Sequence, residues 1–336
     1  MNLTTNYMGL QLQNPIVASP SPLSQTVDQI QALADSGVGA VVLHSLFEEQ
    51  INHEENRKAS ILENYAESFL ESLSYFPQTP LDSPGPLPYL RTLELICSKI
   101  DTPIIASLNG STLGSWVAYA KNMQDAGASG IELNLYQPIS DLEMAGTDIE
   151  QLHFDIFRSV KKEVSIPVAV KLSPMYTSLS NVIKRFDSLG VDALVLFNRY
   201  LYPDIDLNML EVLPTINLSD KREVRLPLAV IALVRNQIKA HIAATTGVES
   251  VDEIIKYLLV GANTVMTTSA ILRNGLGYVT KLLDDLSAWL QSRGCNNLDD
   301  IRGTLSYPLG SRHDYYRFGY VETLQKANQN PYDWND

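Results

Sequence analysis

The sequence predicts a (β/α)8 TIM barrel, α/β in class. Three observations carry this. Eight short apolar runs recur, at 15–19, 40–44, 103–107, 130–135, 167–172, 193–197, 241–244 and 263–266. None alternates apolar with polar, which is the pattern of parallel strands covered on both faces. Several inter-strand segments end in glycine beside a small or apolar residue, at Gly37, Gly127, Gly190 and Gly261. Glycine there reads as a helix C-cap feeding the next strand. A doubly wound sheet is the competing architecture, and the lack of a GxGxxG turn after any strand disfavours it.

In order, strand 1 (Pro15-Ile-Val-Ala-Ser19) leads into a helix-like stretch at 27–37 and then strand 2 (Ala40-Val-Val-Leu-His44). A long insertion follows at about 45–100, polar and broken by Pro77, Pro80, Pro84, Pro86 and Pro88, with a helix-like piece at 61–74. Strands 3 to 6 come next, and a second excursion occupies about 198–227. Both insertions leave the C-terminal side of a strand, where barrel sites form, so both are expected to roof the site. Strands 7 and 8 complete eight units. The tail, about 296–336, carries Tyr307, Tyr315, Tyr316, Tyr320 and Trp334, and is expected to pack on the barrel or on a partner. All 336 residues are read as one domain.

Composition narrows the function classes. With 45% hydrophobic and 19% charged residues the chain has material for a large core. Its net charge of −13 disfavours nucleic acid and anionic membrane as partners. No apolar run reaches the roughly 20 residues of a membrane span, and the first residues lack a signal peptide's basic start, so the expected location is the cytoplasm. Cys97 and Cys295 form no metal-like cluster, and the five histidines form no HxH or HExxH, so no metal site is expected.

The strand ends are where chemistry should gather. They carry Ala18-Ser19, His44-Ser45, Ser107-Leu-Asn109, Asn134, Lys171, Asn198-Arg199, Thr245-Thr246-Gly247 and Thr267-Thr268-Ser269. Lys171 closes an apolar strand, where a lone ammonium is costly. An anionic ligand would relieve that cost, as would a paired carboxylate. Thr246-Gly247 and Thr268-Ser269 have the chemistry of a barrel phosphate site, though such clusters are also ordinary loop composition. Asn134 and Asn198 offer donor and acceptor to a planar heterocycle, or cap their own loops. His44 is a candidate acid or base, or a satisfied structural group.

Taken in order, these segments resemble the dihydroorotate dehydrogenase family of FMN-dependent TIM barrels. The resemblance spans about 1–285 and rests on Met8-Gly-Leu-Gln-Leu-Gln-Asn-Pro-Ile-Val-Ala-Ser19, Ile131-Glu-Leu-Asn-Leu135, Pro167-Val-Ala-Val-Lys-Leu-Ser-Pro174, Leu196-Phe-Asn198, Thr246-Gly-Val248 and Gly261-Ala-Asn-Thr-Val-Met-Thr-Thr-Ser-Ala270. It implies FMN as cofactor, contacted by Ala18, Ser19, Ser45, Asn134, Lys171 and Phe197, with its phosphate held by Thr246, Gly247, Thr268 and Ser269. It implies a substrate ring bound by Asn134 and Asn198, hydride transfer to the flavin, and proton removal from the adjacent carbon. A homodimer is implied as well.

The sequence departs from the family where the proton should go. The family's Cys or Ser base is replaced within Tyr136-Gln137-Pro138-Ile139, and the amide of Gln137 cannot serve as a base. The family's lysine at the end of strand 2 is His44, its substrate-loop asparagine is Tyr89, and its Gly-Gly phosphate turn is Thr246-Gly247. The cofactor half is kept and the substrate half rewritten. The catalytic candidates are therefore Lys171, Tyr136 and His44, in a divergent CH–CH oxidoreductase whose small substrate is planar and anionic. An aldolase-like lyase using Lys171 and a catalytically altered flavin-binding protein are the alternatives. No iron–sulfur ligand set is present, so electrons must leave to a soluble acceptor, oxygen or a separate subunit.

Overall fold

A computed structural model describes residues 1–54, 85–135, 142–199, 204–213, 217–308 and 314–329. Eight strands close into a barrel in the order β3 (Ile16–Ala18), β4 (Ala40–Phe47), β5 (Ile104–Gly110), β6 (Gly130–Leu135), β7 (Val168–Leu172), β8 (Ala193–Leu196), β11 (His241–Ala244), β12 (Thr264–Thr267) and back to β3. Every neighbouring pair is parallel. These are the eight expected strands.

Two apolar layers explain the lack of alternation. One set of strand residues, including Val17, Val42, Ile105, Ala169, Ala193, Val195, Ala243 and Met266, packs along the barrel axis. The intervening residues, such as Val41, Ile104, Leu133, Val170, Leu194 and Val265, pack outward with the helices. The axial set is rich in alanine because a closed eight-stranded barrel leaves little internal room.

The inferred helix stops hold. Gly37, Gly127, Gly190 and Gly261 all lie at positive φ, between 81° and 108°. Helix starts are equally explicit: Thr26 with Gln29 and Ser250 with Glu253 form capping boxes at the helices Val27–Asp35 and Val251–Leu259. Gly39, just before β4, is limited by space. A Cβ there would run into the carbonyl oxygen of Asn14, whose side chain also accepts from the Ile16 N–H at 3.0 Å. Gly39→Ala should cost about 3 kcal/mol, read as a lower urea midpoint at unchanged slope.

The bottom of the barrel is closed by a hairpin that the sequence reading did not resolve. Strands β1 (Thr5–Tyr7) and β2 (Leu10–Leu12) pair antiparallel. The two residues between them, Met8 and Gly9, both have positive φ (53° and 84°), as a type I′ turn requires. Tyr7, Met8 and Leu12 belong to the axial core, and Met8 lies so near Gly130 that a Cβ there would meet its Cε at 2.8 Å.

One expectation is amended, one lies outside the described residues and one gains detail. Strand 2 runs to Phe47 rather than ending at His44, with a register shift between Val42 and Ser45, so His44 and Ser45 sit within the strand at a bulge. In the first insertion the structure shows a helix, Pro86–Cys97; the expected helical piece at 61–74 lies outside the described residues. The second excursion contains an antiparallel hairpin, β9 (Asp204–Asp206) with β10 (Glu211–Leu213), before the helix Arg225–Val234. The first part of the tail packs on the barrel's helices: the N–H groups of Leu305 and Tyr307 each donate at 2.9 Å to the carbonyls of Leu259 and Ala232. Tyr320 lies on the exposed helix Asp314–Gln329.

Candidate active site

The C-terminal strand ends hold two connected groups of polar residues. The first belongs to β4, β5 and β6. Register places Ser45 beside Ser107, Asn109 beside Asn134, and Asn134 beside Lys171. Ser45 and Ser107 share a hydroxyl hydrogen bond of 2.8 Å, and Asn134 Nδ2 donates to Ser107 Oγ at 2.9 Å. The backbone N–H of Ser107 donates at 3.0 Å to the Tyr89 hydroxyl, which donates back to the Ser107 carbonyl at 3.4 Å. Tyr89 is thus a buried clamp on β5, within a helix rather than a substrate loop. Burial pushes its hydroxyl well above the ordinary tyrosine range, so it stays a neutral donor and acceptor.

His44 stands edge-on to the Tyr89 ring, 5.0 Å between centroids, with Nδ1 3.0 Å from the carbonyl oxygen of Ser24. A carbonyl accepts only, so Nδ1 carries the proton and Nε2 keeps its lone pair. Burial lowers the imidazole pKa, opposed in part by the Ser24 bond, so the ring is neutral at pH 7.

Beneath this group lies a buried ion pair. Lys171 Nζ is 3.2 Å from Glu132 Oε1, with both residues buried. The paired carboxylate, rather than a ligand alone, is what meets the cost of burying Lys171. Glu132 was not among the expected site residues. Its other oxygen, Oε2, is buried without a hydrogen-bond partner, as is the Tyr7 hydroxyl near the axis. Burial first and the Glu132 charge second raise the Tyr7 pKa.

The second group lines a cavity of about 320 Å³ over the ends of β7, β8, β11, β12 and β3. Of the expected residues, Ser19, Lys171, Phe197, Asn198, Thr246, Thr268 and Ser269 line it. Arg199 and Ser219 line it too, and no carboxylate does among the described residues. Arg199 is fixed by Glu223 at 2.9 Å and by the Asn217 carbonyl. Thr268 Oγ1 donates to the Ser19 carbonyl at 2.9 Å, joining β12 to β3, while Ser219 and Ser269 pair through their hydroxyls at 3.0 Å. Ser19 Oγ and Thr267 Oγ1 are buried with no hydrogen-bond partner among the described residues.

Thr246 stands at φ +81°, a conformation β-branched residues rarely adopt, and Tyr257 holds it by donating to its carbonyl at 2.8 Å. The peptide Leu196–Phe197 is cis.

Other expected contacts fall differently. The Ala18 side chain packs in the outer layer. Gly247 is not among the lining residues; a Cβ there would meet Val224 Cγ1 at 2.7 Å and the Asp220 carbonyl oxygen at 2.8 Å, so its glycine serves loop packing. Ser45, Asn134 and His44 do not line this cavity but belong to the neighbouring group. Tyr136 and Gln137 lie outside the described residues. Ser219 was missed because it sits in the second excursion, where no strand-end rule reaches.

Comparison with known proteins gives the family. The chain is 27% identical over 311 residues to the dihydroorotate dehydrogenase B (NAD(+)) catalytic subunit of Methanocaldococcus jannaschii, covering 90% of this chain and 97% of that one. It is 24% identical over 315 residues to the dihydroorotate dehydrogenase A (fumarate) of Lactobacillus delbrueckii subsp. bulgaricus, covering 91% and 99%. It is 25% identical over 320 residues to the NAD-dependent dihydropyrimidine dehydrogenase subunit PreA of Escherichia coli K12, covering 90% and 76%. The family model described as Dihydroorotate dehydrogenase matches residues 2–290, nearly the whole barrel. This chain belongs to the dihydroorotate dehydrogenase family.

Proposed function

We propose that the protein is an FMN-dependent oxidoreductase acting on a CH–CH bond of a small, planar, anionic substrate, within a divergent branch of its family. The observation that carries this is the cavity over β7 to β3: two cations, Lys171 and Arg199, with hydroxyls from Ser19, Thr246, Thr268 and Ser269 and, among the described residues, no carboxylate. That lining fits a phosphorylated anionic cofactor, and the partnerless Ser19 Oγ and Thr267 Oγ1 are buried groups that a ligand would satisfy. Bound FMN supplies two-electron acceptance from carbon, chemistry that no side chain offers.

The chain's own residues orient and charge-balance the site. Lys171 places a fixed positive charge at the cavity floor, and Glu132 holds it there. Asn134, aligned by Ser107, and Asn198 at the cavity wall present amides to a planar ring. Neutral His44 keeps one ring nitrogen free to accept a proton, the part that Gln137 cannot take. The lyase reading is weakened because Lys171 Nζ is committed to Glu132. Borohydride trapping of Lys171 with a carbonyl substrate would revive it.

The visible spectrum of the purified protein tests the cofactor. Bands of oxidised flavin are expected; a colourless protein that does not take up added FMN rejects the proposal. Anaerobic addition of dihydroorotate then tests the substrate, with bleaching expected to be slow or absent if the divergence has moved specificity.

The partners in this reading are a small-molecule substrate, a separate electron acceptor and a second copy of the chain, in the cytoplasm. Support for the second copy is the β9–β10 hairpin, whose Ile205, Leu207, Met209, Leu210 and Val212 are all at least 61% exposed. Leu207→Asp should convert a dimer to a monomer in light scattering. A wild type that is already monomeric, or a variant that stays dimeric, removes the hairpin from the interface.

A further inference from the structure

The base of the barrel, at the opposite end from Lys171, gathers cations that the mouth does not use. Arg235 sits in the turn Arg235–Gln237, which links the helix Arg225–Val234 to β11. Its stem crosses Gly261: a Cβ there would meet Arg235 Cγ at 2.4 Å. Arg302 anchors on the next residue. Its Nε donates to the Ala262 carbonyl at 3.2 Å and its Nη2 to Thr5 Oγ1 at 2.7 Å. The Thr5 hydroxyl donates in turn to the Asn263 carbonyl at 2.9 Å, and Asn263 Oδ1 accepts from the Ile242 N–H at 2.9 Å. Beside Ile242 stands His241, the first residue of β11, with its Nδ1 buried and without a hydrogen-bond partner among the described residues.

The charges gathered there do not balance. Arg302 pairs with Asp299, but that carboxylate is 80% exposed, so solvent weakens the pair. Asp192, whose charge reaches His241, is taken by Lys161 and by the Val168 N–H at 2.7 Å. The Arg235 guanidinium is half-buried and makes no hydrogen bond or ion pair among the described residues. Burial, and beyond it the Arg235 charge, lowers the pKa of both Arg302 and His241, against the pull of Asp299 and Asp192. Like charges held partly out of water favour an anion between them, and this one cluster runs against a chain whose net charge is −13.

We propose that the base of the barrel binds an inorganic phosphate dianion between Arg235 and Arg302. Arg235 brings an uncommitted planar fork, and a tetrahedral anion offers oxygens to two guanidiniums arriving from different chain segments, whereas a carboxylate fills one fork. The plug of Tyr7, Met8 and Leu12 separates this site from the mouth. The inference goes beyond the proposed function and does not depend on a flavin being bound.

Inorganic phosphate is the probe and acetate at equal ionic strength the comparison, both titrated calorimetrically into the protein as purified. Phosphate should bind at least about tenfold tighter than acetate. Arg235→Gln should weaken this binding by about 10- to 100-fold, the worth of a charge-assisted hydrogen bond. Glutamine keeps the carbons that pack on Gly261, so circular dichroism should be unchanged. Arg199→Gln, at the mouth, should leave the base site intact. In the wild type, phosphate should slow amide hydrogen exchange across 235–241 and 299–303. The proposal is overturned if no phosphate binding is lost in Arg235→Gln and kept in Arg199→Gln. Equal affinity for acetate overturns it as well, as does exchange protection confined to the strand ends at the mouth.

Discussion

Lys171→Met is expected to destabilise the protein by about 3–5 kcal/mol, because it leaves the Glu132 carboxylate buried and unpaired. Glu132 Oε1 would lose the Lys171 cation, and Oε2 already has no hydrogen-bond partner among the described residues. Calorimetry should show a melting temperature lower by roughly 4–7 °C. Adding Glu132→Gln to the same chain should recover most of the loss, since the stranded charge is gone while the shape is kept. That recovery separates a broken ion pair from lost packing: methionine fills most of the lysine's volume, so a packing defect would leave the double variant as unstable as the single one. Flavin uptake should stay impaired in both, because neither restores a cation at the cavity floor.

His44→Asn is expected to slow flavin reduction by substrate by about 10²- to 10⁴-fold, the usual worth of a positioned general base. The pH dependence supplies the sign. Burial holds the His44 pKa below its ordinary 6.5, so the wild-type ring can accept a proton at neutral pH and loses that capacity as pH falls through the lowered value. The wild-type rate should therefore fall on an acidic limb below pH 6.5, and that limb should be missing in His44→Asn. Asparagine can still donate to the Ser24 carbonyl, so positioning survives while proton acceptance does not. An unchanged rate, or a persisting limb, removes His44 from proton transfer.

The barrel was legible because its signals are local and redundant. Apolar runs without alternation and glycines after helices each follow from parallel strands covered on two faces, and all eight strands form where those signals lie. The β1–β2 hairpin escaped notice because its turn is Met8-Gly9 rather than Asn-Gly. Burial of Met8 in the axial core outweighs the local cost of its positive φ, and that gain comes from residues far along the chain. Glu132 was readable in principle. It stands two residues before Asn134, hence on the same face, in the strand next to Lys171. Its meaning depends on which strands are neighbours, which a single strand cannot disclose. The contributions of Ser219 and Tyr89 depend on how the insertions fold back, and no period or spacing encodes that.

The plugged base has a consequence for traffic. Tyr7, Met8 and Leu12 stopper the axis from below, so the barrel is a cup rather than a tube. Everything that reaches Lys171 enters and leaves by one rim. Reactants that meet the same deep position must take turns, and an excess of either obstructs the other. A queue of this kind follows from the stopper alone, whatever the reactants turn out to be.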